Sequence, residues 1–381
     1  MSNILSSPAA LQVAADERVR DVGALHKLLS RPEFGALAGA LLVFLVFGIA
    51  AGGSGMFSAE GAVNWATVAG YLGIIAVAAA LLMIAGEFDL SIGSMIGFAG
   101  MMVAIPILYW GWPAWAAVPF AFALAMLLGA VNGWLVIKTG LPSFIVTLAF
   151  YFILRGLSLA VSVLLTGRTI LSSNGSATLR EAMSGDPLVG LLFHGHVLTG
   201  LFNFLAQAGL LDARDDGSAL AIGVPKVIVW WLVLTVVGAF VLARTRAGNW
   251  IMASGGDANA AKNVGIPVAR VKIALFVFVA FAATLFATLQ VADAGSAAAD
   301  RGLQKEFEAI IAAVIGGCLL TGGYGSVIGA AVGALIFGMV QIGIGYTSID
   351  NNWYRVFLGL MLLAAVLFNN YIRRRFAQGR R

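Results

Sequence analysis

Residues 90–137 read LSIGSMIGFAGMMVAIPILYWGWPAWAAVPFAFALAMLLGAVNGWLVI and contain no Asp, Glu, Lys or Arg. A helix rises about 1.5 Å per residue and about 20 apolar residues cross a hydrocarbon core, so this run is long enough to cross twice. Trp110-Gly111-Trp112-Pro113 lies near its middle, where Gly and Pro license a reversal. Residues 309–349 form a second charge-free run, divided by Thr321-Gly322-Gly323-Tyr324-Gly325. Backbone in lipid has to satisfy its own hydrogen bonds, and a helix does so within one segment. Outward from these two runs, spans are expected at 34–53, 65–86, 91–110, 113–137, 143–166, 225–243, 271–292, 307–320, 325–345 and 353–372. These ten define an all-α, polytopic membrane helix bundle. The segment at 307–320 is short, and a helix that crosses only half the membrane is its rival.

Composition agrees. Of 381 residues 60% are hydrophobic and 11% charged, against about 25% charged in a soluble domain. So few charges cannot clothe a water-soluble surface of this size, and the mean hydropathy of +0.95 excludes a cytosolic enzyme. Gly, at 47 residues, suits close helix packing. The single Cys318 cannot form an intrachain disulfide, and no Cys/His cluster suggests a metal.

The net charge of +5 is not a nucleic-acid footprint, because the cations follow alternate loops. On one side lie Arg18, Arg20, Lys27 and Arg31, then Lys138, then Arg244, Arg246, Lys262, Arg270 and Lys272, then Arg373, Arg374, Arg375, Arg380 and Arg381. The other side holds Arg168, Arg180, Arg214, Lys226, Arg301 and Lys305, most of them in or beside one long loop where the rule counts for little. Both termini are therefore expected to be cytoplasmic. The organisation is a cytoplasmic tail over 1–33, a bundle over 34–372 with an external loop at 167–224 and a cytoplasmic loop at 244–270, and a basic cytoplasmic tail over 373–381. The charged leader before the first span is too long for a signal peptide, so that span reads as an uncleaved anchor. Within the external loop, Pro187 to Leu211 is expected to lie along the outer interface, and His194 and His196 to be exposed or interfacial rather than metal ligands.

No Gly-x-x-x-x-Gly-Lys-Ser/Thr cradle occurs, so the chain does not hydrolyse ATP itself. There is no Gly-x-Ser-x-Gly elbow and no His-Glu-x-x-His, and none of the three His lies in a span. Arg155 is the one clear ionisable group inside a span, which disfavours ion-coupled transport. Gly93 and Gly97, and again Gly325, Gly329 and Gly333, recur at a spacing of four, which serves close helix packing or lines a pore. In Gly86-Glu87-Phe88-Asp89-Leu90-Ser91, Asp89 or Ser91 can cap the next helix; alternatively the segment is a broken helix inside the protein. Asp257 can cap a two-turn helix over Ala258 to Val264, with Gly265 after its end and Pro267 forbidding continuation. Such a helix is either a connector or a handle for another protein.

The chain resembles the permease subunits of bacterial ABC importers for monosaccharides, of the ribose, xylose and fructose type. The resemblance rests on Glu87-Phe88-Asp89-Leu90-Ser91-Ile92-Gly93-Ser94, on Asn132-Gly133, on Pro142-Ser143-Phe144-Ile145-Val146-Thr147-Leu148 with Arg155-Gly156-Leu157, on Gly255-Gly256-Asp257 with Gly265-Ile266, and on Ala313-Val314-Ile315-Gly316-Gly317 with Gly322-Gly323-Tyr324-Gly325-Ser326-Val327. Where the common pattern reads Gly-Gly-Ile-Asp-Leu-Ser, this sequence has Glu87 and Phe88. The resemblance implies a multi-pass protein of the bacterial cytoplasmic membrane, not itself an enzyme. It also implies a second permease copy, a cytoplasmic ATP-binding subunit that carries the ATP, and an extracytoplasmic sugar-binding protein. It makes Asp257, Ala258, Asn259, Ala261, Lys262 and Gly265 the coupling helix seated on the ATPase. Nearly charge-free spans suit a neutral sugar. Asp89, Ser91, Ser94, Asn132 and Gln290 are candidate pathway residues, with helix-contact roles as the alternative for Asn132 and Gln290. Competing functions are an ABC permease for a nucleoside, a furanone signal or a branched-chain amino acid, and a stand-alone secondary carrier.

Overall fold

The computed structural model describes residues 32–347 and 349–378. The expectations for the tail over 1–31, with Arg18, Arg20, Lys27 and Arg31, and for Arg380 and Arg381, fall outside them. Helices run in the order α1 Pro32–Ala51, α2 Ala59–Ile84, α3 Ile92–Tyr109, α4 Ala114–Thr139 and α5 Ser143–Thr166. A non-spanning excursion follows, with β1 Ile170–Leu171, β2 Ser173–Asn174, β3 Ala177–Thr178, α6 Leu179–Gly185, α7 Pro187–Phe193, β4 His196–Val197, α8 Thr199–Gln207 and β5 Val224–Pro225. The chain then forms α9 Lys226–Arg244, α10 Arg246–Gly256, α11 Ala258–Asn263, α12 Val268–Ala294, β6 Ala297–Ala298, α13 Lys305–Ile315, α14 Val327–Gly345 and α15 Trp353–Gln378.

Among the described residues eight helices are long and apolar enough to cross a membrane: α1 to α5, α9, α12 and α14. α15 begins with a shorter apolar stretch, Trp353–Ala364, and continues as helix through Arg373, Arg374 and Arg375, so those cations extend a helix rather than start a separate tail. α2 starts at Ala59 because Ser58 caps it, its side chain accepting from the Gly61 amide. α2, α3, α12 and α14 form the buried heart, whereas α1, α5 and α9 bury less than a third of their apolar windows. Glycine decides how closely this heart packs. A Cβ on Gly338 of α14 would stand 2.3 Å from the Trp65 carbonyl oxygen of α2, and one on Gly333 would stand 2.1 Å from that of Ala312 in α13.

The eighth crossing corrects the span expected at 307–320. Its helix, α13, has 11 residues and rises only about 16 Å, roughly half a hydrocarbon core. A two-residue strand and a run of turns supply the rest. From the end of α12, β6 pairs antiparallel with β1 beside the excursion, and the Ala299 amide donates to the Thr169 carbonyl. The chain then runs along the glycine face of α3: a Cβ on Gly97 would meet the Ala299 and Arg301 carbonyls, and one on Gly93 the Gly302 carbonyl at 2.3 Å. Gly93 and Gly97 therefore seat irregular backbone, with the Glu306 side chain of α13 also against Gly93, and this backbone is admissible at depth because protein surrounds it. After α13 the chain arrives beside Gly86 and Gly255, so the broken crossing still joins opposite faces.

Arg155 donates from Nη1 to the Ala299 carbonyl at 3.1 Å and so holds the irregular stretch. It is not the sole ionisable group inside. Glu306 and Glu308, at the start of α13, are 1% and 7% exposed, and Glu308 pairs with Lys305. The sequence placed both carboxylates at or outside a span boundary; the break in the helix carries them inward. In the excursion, helices α6 to α8 are too short to cross. His194 contacts the Ala292 carbonyl through Nδ1 at 3.1 Å, and His196 is exposed in β4. No group of three metal-ligating side chains is present among the described residues.

Candidate functional site

Two places gather the residues singled out by sequence. The first is the stretch from α10 to the start of α12. Thr245 leaves the helical conformation after α9, and its side chain accepts from the Gly248 amide, starting α10 within the stretch expected to be loop. Asp257 then ends α10 and caps α11, its Oδ1 accepting from the Asn259 and Ala260 amides at 2.9 Å each. At the other end the Gly265 amide donates to the Lys262 carbonyl and the Ile266 amide to the Ala261 carbonyl, both at 3.0 Å. That pair of bonds, with Gly265 at φ +86°, is a Schellman ending, which a residue with a side chain would strain.

This α11 is the short capped helix expected from Asp257 to Gly265. Asp257, Asn259, Lys262 and Gly265 are exposed and Ala258 is partly so. Ala261, by contrast, is 3% exposed and belongs to the side facing the bundle. The exposed apolar residue beside it is Val264, which the sequence reading did not single out. It is 77% exposed, a large apolar residue at the tip of a polar helix.

The second place is the connection 85–91 between α2 and α3. Ser91 makes no side-chain cap to α3, so the expected capping by Asp89 or Ser91 is not made. Instead Asp89 turns back: its Oδ1 accepts from the Ser91 amide at 2.8 Å and from the Ser91 hydroxyl at 2.5 Å. Asn132 of α4 donates from Nδ2 to Ser91 Oγ at 3.3 Å, and Ser94 donates to the Ser91 carbonyl at 3.3 Å. Asp89, Ser91, Ser94 and Asn132 are thus one buried cluster, each at most 5% exposed. The connection itself is pinned by α5, where Ser143 Oγ accepts from the Phe88 amide and Thr147 Oγ1 from the Leu90 amide, both at 3.0 Å. Ser143 and Thr147 are four apart on one helical face, the only sequence signal of that role. Glu87, the departure from the family pattern, pairs with Lys272 of α12.

Burial pushes the Asp89 carboxyl up to about 6, against the two Ser91 hydrogen bonds, which pull it down. Among the described residues no cation pairs with it. Asn132 keeps Oδ1 without a partner, and so does Gln290 its Oε1. Gln290 is not part of the cluster. It lies instead with Ile96, Gly100, Ala297 and Arg301 where β6 meets α3, so the five candidates for a pathway divide between two places.

Eight long apolar helices, a further crossing broken in its middle and one short capped helix outside the bundle are the make-up of a multi-pass membrane protein. The family described as branched-chain amino acid transport system / permease component matches residues 61–366, and the chain belongs to it. The xylose transport system permease protein XylH of Haemophilus influenzae is 30% identical over 86% of this chain and 93% of its own length. The ribose import permease protein RbsC of Escherichia coli K12 is 31% identical over 78% of this chain and 81% of its own. The fructose import permease protein FrcC of Rhizobium meliloti is 28% identical over 92% and 88%. No solved structure matches the chain.

Proposed function

We propose that this chain forms the membrane pathway of an ATP-binding-cassette importer for a neutral monosaccharide, working as a pair of copies beneath an extracytoplasmic sugar-binding protein. A separate cytoplasmic ATPase subunit drives it through α11. The single observation that carries this reading is α11 itself: a helix of 6 residues capped at both ends, presenting Val264, Lys262 and Asn259 to solvent while Ala261 anchors it. A connector needs no such definition. The relatives named for xylose, ribose and fructose favour a sugar, as does an interior whose polar groups are mostly neutral Ser, Thr and Asn. In alternating access, ATP closes the ATPase pair, the two α11 helices approach, and the bundle opens toward the docked binding protein.

This assignment puts 244–270 and both termini in the cytoplasm. Cys318 is buried, so a cysteine introduced at exposed Lys262 is the one a membrane-impermeant maleimide finds. Labelling is expected in inside-out vesicles and absent from intact cells; the reverse pattern refutes the orientation. Val264→Arg places a charge on the contact face without touching the core. It is expected to weaken ATPase association by about tenfold or more while membrane insertion stays normal. Proteoliposomes holding this chain alone are expected to move no labelled xylose, ribose or fructose, and uptake by them on an ion gradient would identify a secondary carrier.

A further inference from the structure

Beyond the docking helix, the structure shows what α11 is fastened to. Three backbone segments meet immediately before it: the end of α2, the last turn of α10 and the connection 316–326. The Gly323 amide donates to the Ile84 carbonyl at 2.8 Å. Gly255 sits against both, since a Cβ there would stand 1.9 Å from the Ile84 oxygen and 2.6 Å from the Gly323 nitrogen. A Cβ on Gly322 would stand 2.7 Å from the Gly86 Cα, and one on Gly323 2.8 Å from the Gly256 Cα. Gly86, Gly322 and Gly323 have φ of +84°, +78° and +76°, so each of the three positions also favours a residue without a side chain.

On its far side α11 leads through Pro267 into α12, whose Lys272 pairs with Glu87. The connection 85–91 is therefore tied to the docking helix both before and after it. The connection 316–326 is tied to it through Gly255 and continues directly from α13, the half-helix of the broken crossing. Side-chain contacts between helices can absorb a small displacement by changing rotamer, whereas backbone packed on backbone has no such freedom. The arrangement passes on a shift of α11 rather than absorbing it.

We propose that Gly255, with Gly86, Gly322 and Gly323, is a side-chain-free joint that transmits movement of α11 as a rigid displacement to the α2–α3 and α13–α14 hairpins together. Gly255 is then a positioning residue for the transport cycle: it touches neither solute nor ATP. This inference rests on the ATPase-driven reading above.

The two glycines ending α10 supply the test, because a Cβ on Gly256 meets nothing within 4 Å. Gly255→Ala and Gly256→Ala change the same helix end by the same methyl group. In the complex reassembled from full-length chain, ATPase subunit and binding protein, both are expected to hold the ATPase as the wild type does. Gly255→Ala is expected to lower ATP hydrolysis stimulated by the binding protein by about tenfold, and Gly256→Ala to leave it unchanged. Equal stimulation in the two variants overturns the joint while leaving the permease reading intact. A wild-type chain that binds no ATPase overturns that reading and this one with it. Should Gly255→Ala fail to fold, amide exchange in the wild-type complex decides. A non-hydrolysable ATP analogue is expected to change protection in 84–91 and 316–326 along with 255–263, and a change confined to 255–263 refutes transmission.

Discussion

Asp89 and the pair Glu87–Lys272 occupy one buried connection, yet they act on stability in different ways. Among the described residues Asp89 accepts from Ser91 alone, and burial raises its carboxyl from the usual 3.8 to about 6. An acid whose folded value is raised binds its proton more tightly in the folded state, so its contribution is complete below about pH 4 and is lost as pH climbs through about 6. The thermal midpoint in detergent is expected to fall across that window, and Asp89→Asn to flatten the slope; an unchanged slope contradicts the burial. Glu87 and Lys272 have side chains only 13% and 11% exposed. Lys272→Met leaves Glu87 without its cation and is expected to cost about 3 kcal/mol, read as a lowered midpoint in urea or on heating, whereas the double variant Glu87→Gln with Lys272→Met recovers most of it. Failure of the double variant to recover would mean that the pair contributes through packing rather than charge.

Among the elements, the eighth crossing has the least regular backbone, since from Gly295 to Gln304 the chain is a two-residue strand followed by turns. Arg155, donating to the Ala299 carbonyl, and Ser158, whose hydroxyl approaches the same oxygen at 3.4 Å, hold it against α5. Removing the guanidinium by Arg155→Leu is expected to raise amide exchange of 296–304 by about tenfold, while α3 and α12 stay protected. Equal exchange in variant and wild type would place the restraint elsewhere, on the glycine face of α3. At the contact of α14 with α2, Gly338→Leu forces the Trp65 backbone away and is expected to cost about 1–3 kcal/mol of stability, seen as loss of the monodisperse species in detergent.

For the whole molecule, the buried helices and those facing outward are not distinguished by hydropathy: α3, almost wholly buried, is slightly less apolar than α5, which is mostly exposed. Close approaches are made at glycines, Gly338 of α14 against α2, Gly333 of α14 against α13 and Gly129 of α4 against α12, where a Cβ would meet backbone. The outward faces of α1, α4, α5 and α9 remain apolar, as a bundle in lipid requires. The broken crossing has a helix of half length, and the described residues hold eight helices of spanning length where ten spans are expected from sequence.

Much of this was legible in the chain because its causes are local. Charge-free runs of spanning length set the helices, and Asp257, Gly265 and Pro267 set the ends of α11, since capping depends only on neighbours a few residues away. The broken crossing, the inward burial of Glu306 and Ala261, the separation of Gln290 from the Asp89 cluster and the meeting of Gly86, Gly255 and Gly322 were not legible. Each depends on which residues distant in sequence come into contact, and a uniformly apolar chain gives no periodic signal for that. In lipid every face is equally greasy, so close packing, not hydropathy, chooses the partners.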